Sequence, residues 1–131
     1  MFRNRSGFTL IELLVVILII GILASIAIPK LAASRDRAML ASVRSDVRNA
    51  ETAEEAYFST AGRYGSFAEL QTSGNFNVSP GTTMTITRPS SLQAGYTVQA
   101  SNIGISSGPT GCTVQVGAGA PASLDSKITC P

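Results

Sequence analysis

One carboxylate, Glu12, is the sole charged side chain between Arg5 and Lys30, and it lies five residues after Gly7. Two thiols, Cys112 and Cys130, stand near the other end of the 131-residue chain, and histidine is absent. Without histidine there is no His-based nucleophile, general base or metal ligand. The cysteines lack C-x-x-C spacing, so zinc ribbons and haem attachment have no support. No nucleophile–base pair, phosphate loop or metal cluster is visible, so neither an enzyme nor a cofactor is expected. The chemistry that remains is that of Glu12 itself. An acid in hydrocarbon costs roughly 2.5–3.5 kcal/mol at a bilayer centre, less near an end, unless it finds a partner.

The element that carries Glu12 is an apolar run. Phe8–Ile28 is 21 residues, which as a helix spans about 32 Å, close to the hydrocarbon thickness of a bilayer. Its uncharged part, 13–28, is slightly short for a free-standing span. Arg3 and Arg5 precede it and hold the N-terminus on the cytoplasmic side. The rest of the chain then faces an oxidising space, where two distal cysteines fit. Three readings of the run compete. A cleaved secretory signal ending at Ala27 leaves Glu12 inside the apolar core of the signal. A plain single-pass anchor leaves Glu12 unexplained.

The third reading explains the acid. The stretch "G-FTLIELLVVILIIGILASIAIP" resembles the N-terminus of type IV pilins and of the pseudopilins of type II secretion: short basic leader, Gly, Phe, Thr-Leu-Ile-Glu, long apolar run, Pro. The match is close from Arg3 to about Leu31, and the overall plan covers the chain. The resemblance implies that a membrane-embedded prepilin peptidase cuts the Gly7–Phe8 bond, releases residues 1–7 as a leader and N-methylates Phe8. Glu12 becomes the fifth mature residue, whose family role is to pair with the N-terminal amine of a neighbouring subunit. It also implies that the helix between Gly21 and Pro29 melts in the fibre; a proline kink at the membrane boundary is the plainer alternative. Pro29 removes the amide that would bond the Ser25 carbonyl.

Beyond Pro29 the pattern turns amphipathic. Leu40, Val43, Val47, Ala50 and Tyr57 recur at helical spacing, with Arg44, Asp46, Arg48, Glu51 and Glu55 read as a solvated face. The helix is expected to run from Phe8 to about Ala61, with Gly62 as its C-cap. Residues 62–81 read as a loop anchored by Tyr64, Phe67, Leu70 and Phe76, with a short helix over 66–71. From Thr82 the period changes to two: Met84 and Ile86, then Tyr96, Val98 and Ala100, then Val114 and Val116, with Ile128 in a last short run. The expected fold is α+β, a long N-terminal helix against a small antiparallel sheet of three or four strands, ladle-shaped. Its parts are a leader 1–7, a membrane and fibre-core helix 8–29, an amphipathic helix 30–61, an αβ loop 62–81, and a sheet with a C-terminal loop over 82–131. Many pilins pin that loop with a disulfide, which the resemblance implies for Cys112 and Cys130. Two free buried thiols are the alternative.

Within the superfamily the sequence favours a structural subunit of a type IV pilus over a pseudopilin. The major pseudopilin usually has an acid-rich calcium loop near its C-terminus, where this chain offers only Asp125. Motility, adhesion and DNA uptake are the expected uses. The implied partners are further copies of the chain in a helical filament, the prepilin peptidase, an assembly platform and a separate ATPase. The implied path runs from an inner-membrane prepilin to an extracellular filament. After residue 7 the chain has eight basic and eight acidic side chains. From Gly62 onward Arg63, Arg88 and Lys127 face Glu69 and Asp125, so no dedicated nucleic-acid site is expected. Aromatics are missing between Phe8 and Tyr57, which leaves little for an electron-conducting path.

Overall fold

In the computed structural model the described residues are 7–74, 76–91, 93–117, 120 and 125–131. The leader expected at 1–7, apart from Gly7, lies outside them, as do Arg3 and Arg5. Helix α1 spans Leu10–Ala61 without interruption, with Pro29 inside it. It starts two residues later than expected because Thr9 serves as its N-cap. It ends where Gly62 takes φ +66° and returns its N–H to the Phe58 carbonyl at 2.9 Å. That left-handed residue closes the last turn at no steric cost. The chain divides into two compact units, 1–34 and 35–131.

The first unit is the apolar part of α1. From Phe8 to Leu31 its large side chains are exposed, Phe8 at 84% and Leu31 at 73%. A patch of this kind is far beyond what a soluble monomer leaves in water. The segment is long and apolar enough to cross a membrane.

The second unit builds the core. On α1, Val43, Val47, Ala50 and Ala53 lie one above another at i, i+4, i+7 and i+10, and all are buried. Helix α2, Phe67–Thr72, opens on a capping box in which Ser66 and Glu69 exchange backbone hydrogen bonds. Three strands follow, β1 Thr82–Thr87, β2 Gly95–Asn102 and β3 Gly111–Gly117, antiparallel in the order β1-β2-β3. The inward row Met84–Ala100–Cys112 and the row Ile86–Val98–Val114 pack with the α1 stripe, Leu70 and Phe76 into one cluster. Each fully buried Val or Leu contributes about 1.5–3 kcal/mol. Where β2 begins beside the end of β3, Gly95 and Gly117 face each other with φ +148° and +83°. A Cβ at Gly95 would stand 2.0 Å from the Val116 carbonyl oxygen, so only glycine fits.

The outward face of the sheet follows from the same register. Its rows are Thr83–Ser101–Gly111, Thr85–Gln99–Thr113 and Thr87–Thr97–Gln115. The expected Ile128 run is not a strand: Thr129 makes an isolated bridge to Thr113, and Ile128 packs against the core only in part. Asp46 departs from the solvated face expected for the α1 charges. Asp46 is 2% exposed because its carboxylate accepts the Ser79 N–H and hydroxyl at 3.1 and 2.8 Å.

Candidate functional site

The site at the start of α1 is built from Thr9 and Glu12. Glu12 is the third residue of the helix, so its side chain folds back over the first turn. Its Oε2 accepts the Thr9 N–H at 2.8 Å and the Thr9 hydroxyl at 2.8 Å, and the Glu12 N–H donates to Thr9 Oγ1 at 3.3 Å. This reciprocal pair is a capping box, which satisfies two of the donors that every helix N-terminus leaves unpaired. Thr-x-x-Glu before an apolar run announces it, and the sequence reading passed over Thr9. A carboxylate has room for about four hydrogen bonds. Both local donors go to Oε2, so Oε1 keeps its capacity among the described residues. The side chains around it, Phe8, Leu10, Ile11 and Leu13, are apolar and exposed. The site therefore pairs an anion with an uncovered greasy surface.

Gly7 and Phe8, the expected cleavage pair, precede the helix in open, exposed backbone. Further along, Gly21 leaves a shallow apolar groove with Leu14, Ile17, Leu18, Ile22 and Ser25. A Cβ at Gly21 would meet nothing within 4 Å. These positions fall at 3–4-residue spacing on one stripe, the form a second helix packs into. Through Gly21 and Pro29 the chain is helical.

In the second unit Cys112 and Cys130 form a disulfide. It ties the terminal segment to β3, beside backbone bonds between Thr113 and Thr129 of 2.8 and 2.9 Å. Arg44 on α1 reaches the Cys130 Sγ at 3.6 Å. Asp125 accepts the Gly117 N–H at 3.0 Å.

Several polar ties in this unit escaped sequence reasoning. Asp36 accepts four bonds from the N–H and hydroxyl groups of Ser106 and Ser107, at 2.7–3.3 Å. The Ser107 hydroxyl above all holds its carboxyl below the usual range. Glu69 takes Arg63 at 2.6 Å and Arg88 at 3.4 Å, and Arg63 keeps it well below the ordinary carboxylate range. Glu54 is fully buried. Its Oε2 accepts the Gly65 N–H at 2.7 Å, while Oε1 has no partner. Burial pushes this carboxyl up to about 7.

Residues 2–28 match the family described as the prokaryotic N-terminal methylation motif. The type IV major pilin protein PilA of Myxococcus xanthus is 46% identical over 66 residues, 50% of this chain and 30% of that protein. The type IV wide pilus major component PilA4 of Thermus thermophilus is 51% identical over 55 residues, 42% of each chain. The type II secretion system core protein G of Klebsiella michiganensis is 42% identical over 62 residues, 47% of this chain and 44% of that one. The chain thus spans less than half the length of the relatives it matches. Residues 2–28 thus carry the N-terminal methylation motif, and over about its N-terminal half the chain is similar to type IV pilins and to type II secretion core protein G alike, ahead of a small antiparallel sheet.

Proposed function

We propose that this protein is the structural subunit of a type IV pilus filament. On this reading it is made as an inner-membrane prepilin, cut between Gly7 and Phe8, N-methylated at Phe8 and assembled through the apolar helix into an extracellular fibre. The observation that carries the reading is the half-used carboxylate of Glu12 on an uncovered apolar helix. In the monomer Thr9 occupies Oε2. In the fibre the Phe8 amine of a neighbour takes the remaining acceptor capacity. That amine exists only after the leader is removed, so the pair registers subunits and admits only processed chains. Breaking such a pair once covered costs about 3–5 kcal/mol, because the charge is left without a partner. The Gly21 groove gives a neighbouring helix a place to seat. Melting over 21–29 belongs to the fibre on this reading, since Pro29 leaves the Ser25 carbonyl without its helical donor.

A pseudopilin is the alternative, and the type II secretion relatives share the same N-terminal features. The disulfide between Cys112 and Cys130, with Asp125 the one acid near the C-terminus where a calcium loop would need several, favours the pilin. The disulfide fastens the C-terminal segment covalently. Sub-micromolar calcium affinity of the purified full chain would reverse that preference.

The test is mass spectrometry of material sheared from the cell surface. A chain that begins at N-methylated Phe8 and is lighter by the two hydrogens of an intact disulfide supports the proposal. A chain that begins at Ile28 defeats it, since the apolar helix would then have been a discarded signal.

A further inference from the structure

The disulfide joins two sulfurs in unlike surroundings. Cys112 belongs to the inward row Met84–Ala100–Cys112 and is 2% exposed, so its sulfur stands in the apolar core. Cys130, in the terminal segment, is half-buried. From α1 the Arg44 guanidinium reaches the Cys130 Sγ at 3.6 Å. Arg44 also lines a recess of about 320 Å³ with Arg48 and Glu51 of α1 and with Ser126 and Lys127 of the terminal segment. Three cations meet one carboxylate there, and none of the three forms an ion pair among the described residues. Asp125, the acid of the terminal segment, is turned to the Gly117 N–H instead. From β3, Cys130 is met by Cys112 and by a strand without charge, Gly111–Gly117.

A bond that only fastens a segment has no use for that asymmetry, whereas a reacting thiol has. A cation beside a sulfur favours its thiolate, and apolar surroundings favour the neutral thiol. Once the pair is reduced, the reactive sulfur is therefore that of Cys130. The cationic recess beside it favours an approaching group of negative charge. We propose that Cys130 is the exchange site of this pair, where a small disulfide carrying carboxylates attaches to the chain, and that Cys112 is the resolving thiol. The Cys130 thiolate attacks one sulfur of the oxidant. That bond forms as the oxidant's S–S bond breaks, and its other sulfur leaves as a thiolate. Cys112 then yields its proton to water and attacks the Cys130 Sγ, expelling the first oxidant sulfur as a second thiolate. The two cysteines lose two electrons, which leave on the two oxidant sulfurs. Arg44 is a positioning residue in this step, acting through the sulfur it touches. None of this depends on the filament reading, since every residue belongs to the second unit.

The experiment uses the reduced full chain in phosphatidylcholine nanodiscs, pulse-labelled with iodoacetamide from about pH 5 to about pH 10. Trypsin cuts after Lys127 and puts the two cysteines on separate peptides, which mass spectrometry counts. At about pH 7 Cys130 is expected to react at least about tenfold faster than Cys112, with a midpoint below the ordinary thiol value of about 8.5. Arg44→Gln is expected to raise that midpoint by about one pH unit. It should slow the reaction at about pH 7 by about threefold, because the gain in nucleophilicity offsets part of the lost thiolate. Arg44→Lys, which keeps the charge, is expected to restore most of both. In the second arm the bond is closed by oxidised glutathione or by the uncharged hydroxyethyl disulfide. The rate advantage of glutathione should shrink severalfold when Arg48→Gln and Lys127→Gln are combined. Equal labelling of the two cysteines, a midpoint that Arg44→Gln leaves in place, or an unchanged advantage of glutathione would each overturn the proposal. So would loss of the near-UV tyrosine signal on reduction, because the fold must present Cys130 before the bond closes.

Discussion

Glu54→Gln is expected to make the second unit more stable at pH 8 and to leave it nearly unchanged at pH 5. The buried carboxyl of Glu54 has one hydrogen-bond donor, the Gly65 N–H, and one oxygen without a partner. Arg88 favours its charge, but Glu69 and Glu55 oppose it, and burial outweighs all of them. The group is raised from 4.5 to about 7. A carboxyl raised on folding stabilises the fold fully below about pH 4.5 and loses that contribution as pH rises through about 7. At about 1.4 kcal/mol per pH unit, a rise from 4.5 to about 7 sets the full loss at about 3.5 kcal/mol, most of it between pH 5 and 8. For a unit of this size, 1 kcal/mol moves Tm by about 4–8 °C. Wild-type Tm should therefore fall by roughly 10–20 °C between pH 5 and 8, followed by near-UV circular dichroism of the tyrosines. In Glu54→Gln the amide oxygen can still accept the Gly65 N–H, and most of that slope should vanish. Glu51, also raised by burial, titrates in both proteins and cancels in the comparison. With histidine absent, no imidazole confuses the window. An unchanged slope in the variant would refute the assignment of a buried, uncompensated charge to Glu54.

Replacing both Cys112 and Cys130 by serine should lower the unfolding free energy of the second unit by about 3 kcal/mol on the chain-entropy account, read by denaturant titration. Asp36→Ala should speed amide exchange at Ser106 and Ser107 by about tenfold or more, because the turn between β2 and β3 loses its acceptor; exchange rates equal to wild type would show that the turn holds itself. Thr9→Val should cost about 1 kcal/mol at the helix start, seen as faster exchange of the Glu12 amide. Glu12→Gln should leave processing at Gly7–Phe8 intact and abolish surface filaments. Normal filaments from that variant would remove the charge pair from the assembly account.

The elements were legible where a period or a composition carries them. The apolar run, the Val43–Val47–Ala50 stripe and the alternation through Met84, Val98 and Val114 each encode one face of one element, so the helix and sheet could be read locally. The capping box is also legible in Thr-x-x-Glu, a spacing that fixes the geometry of Glu12 as well as its charge. The buried acids were harder. Asp36, Asp46 and Glu54 are buried by loops 71, 33 and 11 residues away in sequence, and no local pattern tells a carboxylate that such a loop will cover it. Asp46 did carry a hint. It lies between Val43 and Val47, at the margin of the stripe, where a polar side chain must find a donor or turn away.

Those acids give α1 a second use beyond its apolar stripe. Asp36 holds the turn between β2 and β3, Asp46 holds the segment at Ser79, and Glu54 holds Gly65. Each accepts a backbone N–H that the loop could not pair within a sheet or helix, as buried backbone requires. At these three positions along the helix a carboxylate stands where chain from elsewhere is fastened, whereas Glu51 and Glu55 accept no such bond among the described residues. Glu12 follows the same rule with a difference. It too accepts a backbone N–H, from Thr9, but that donor is local and the surface around it is bare. For the other three the fastened segment belongs to the same folded unit. On the proposed filament reading, the chain that Glu12 fastens comes from outside, and its donor arrives already paired to the charge. A neighbour's N-terminal amine, preceding an identical apolar helix, meets both conditions.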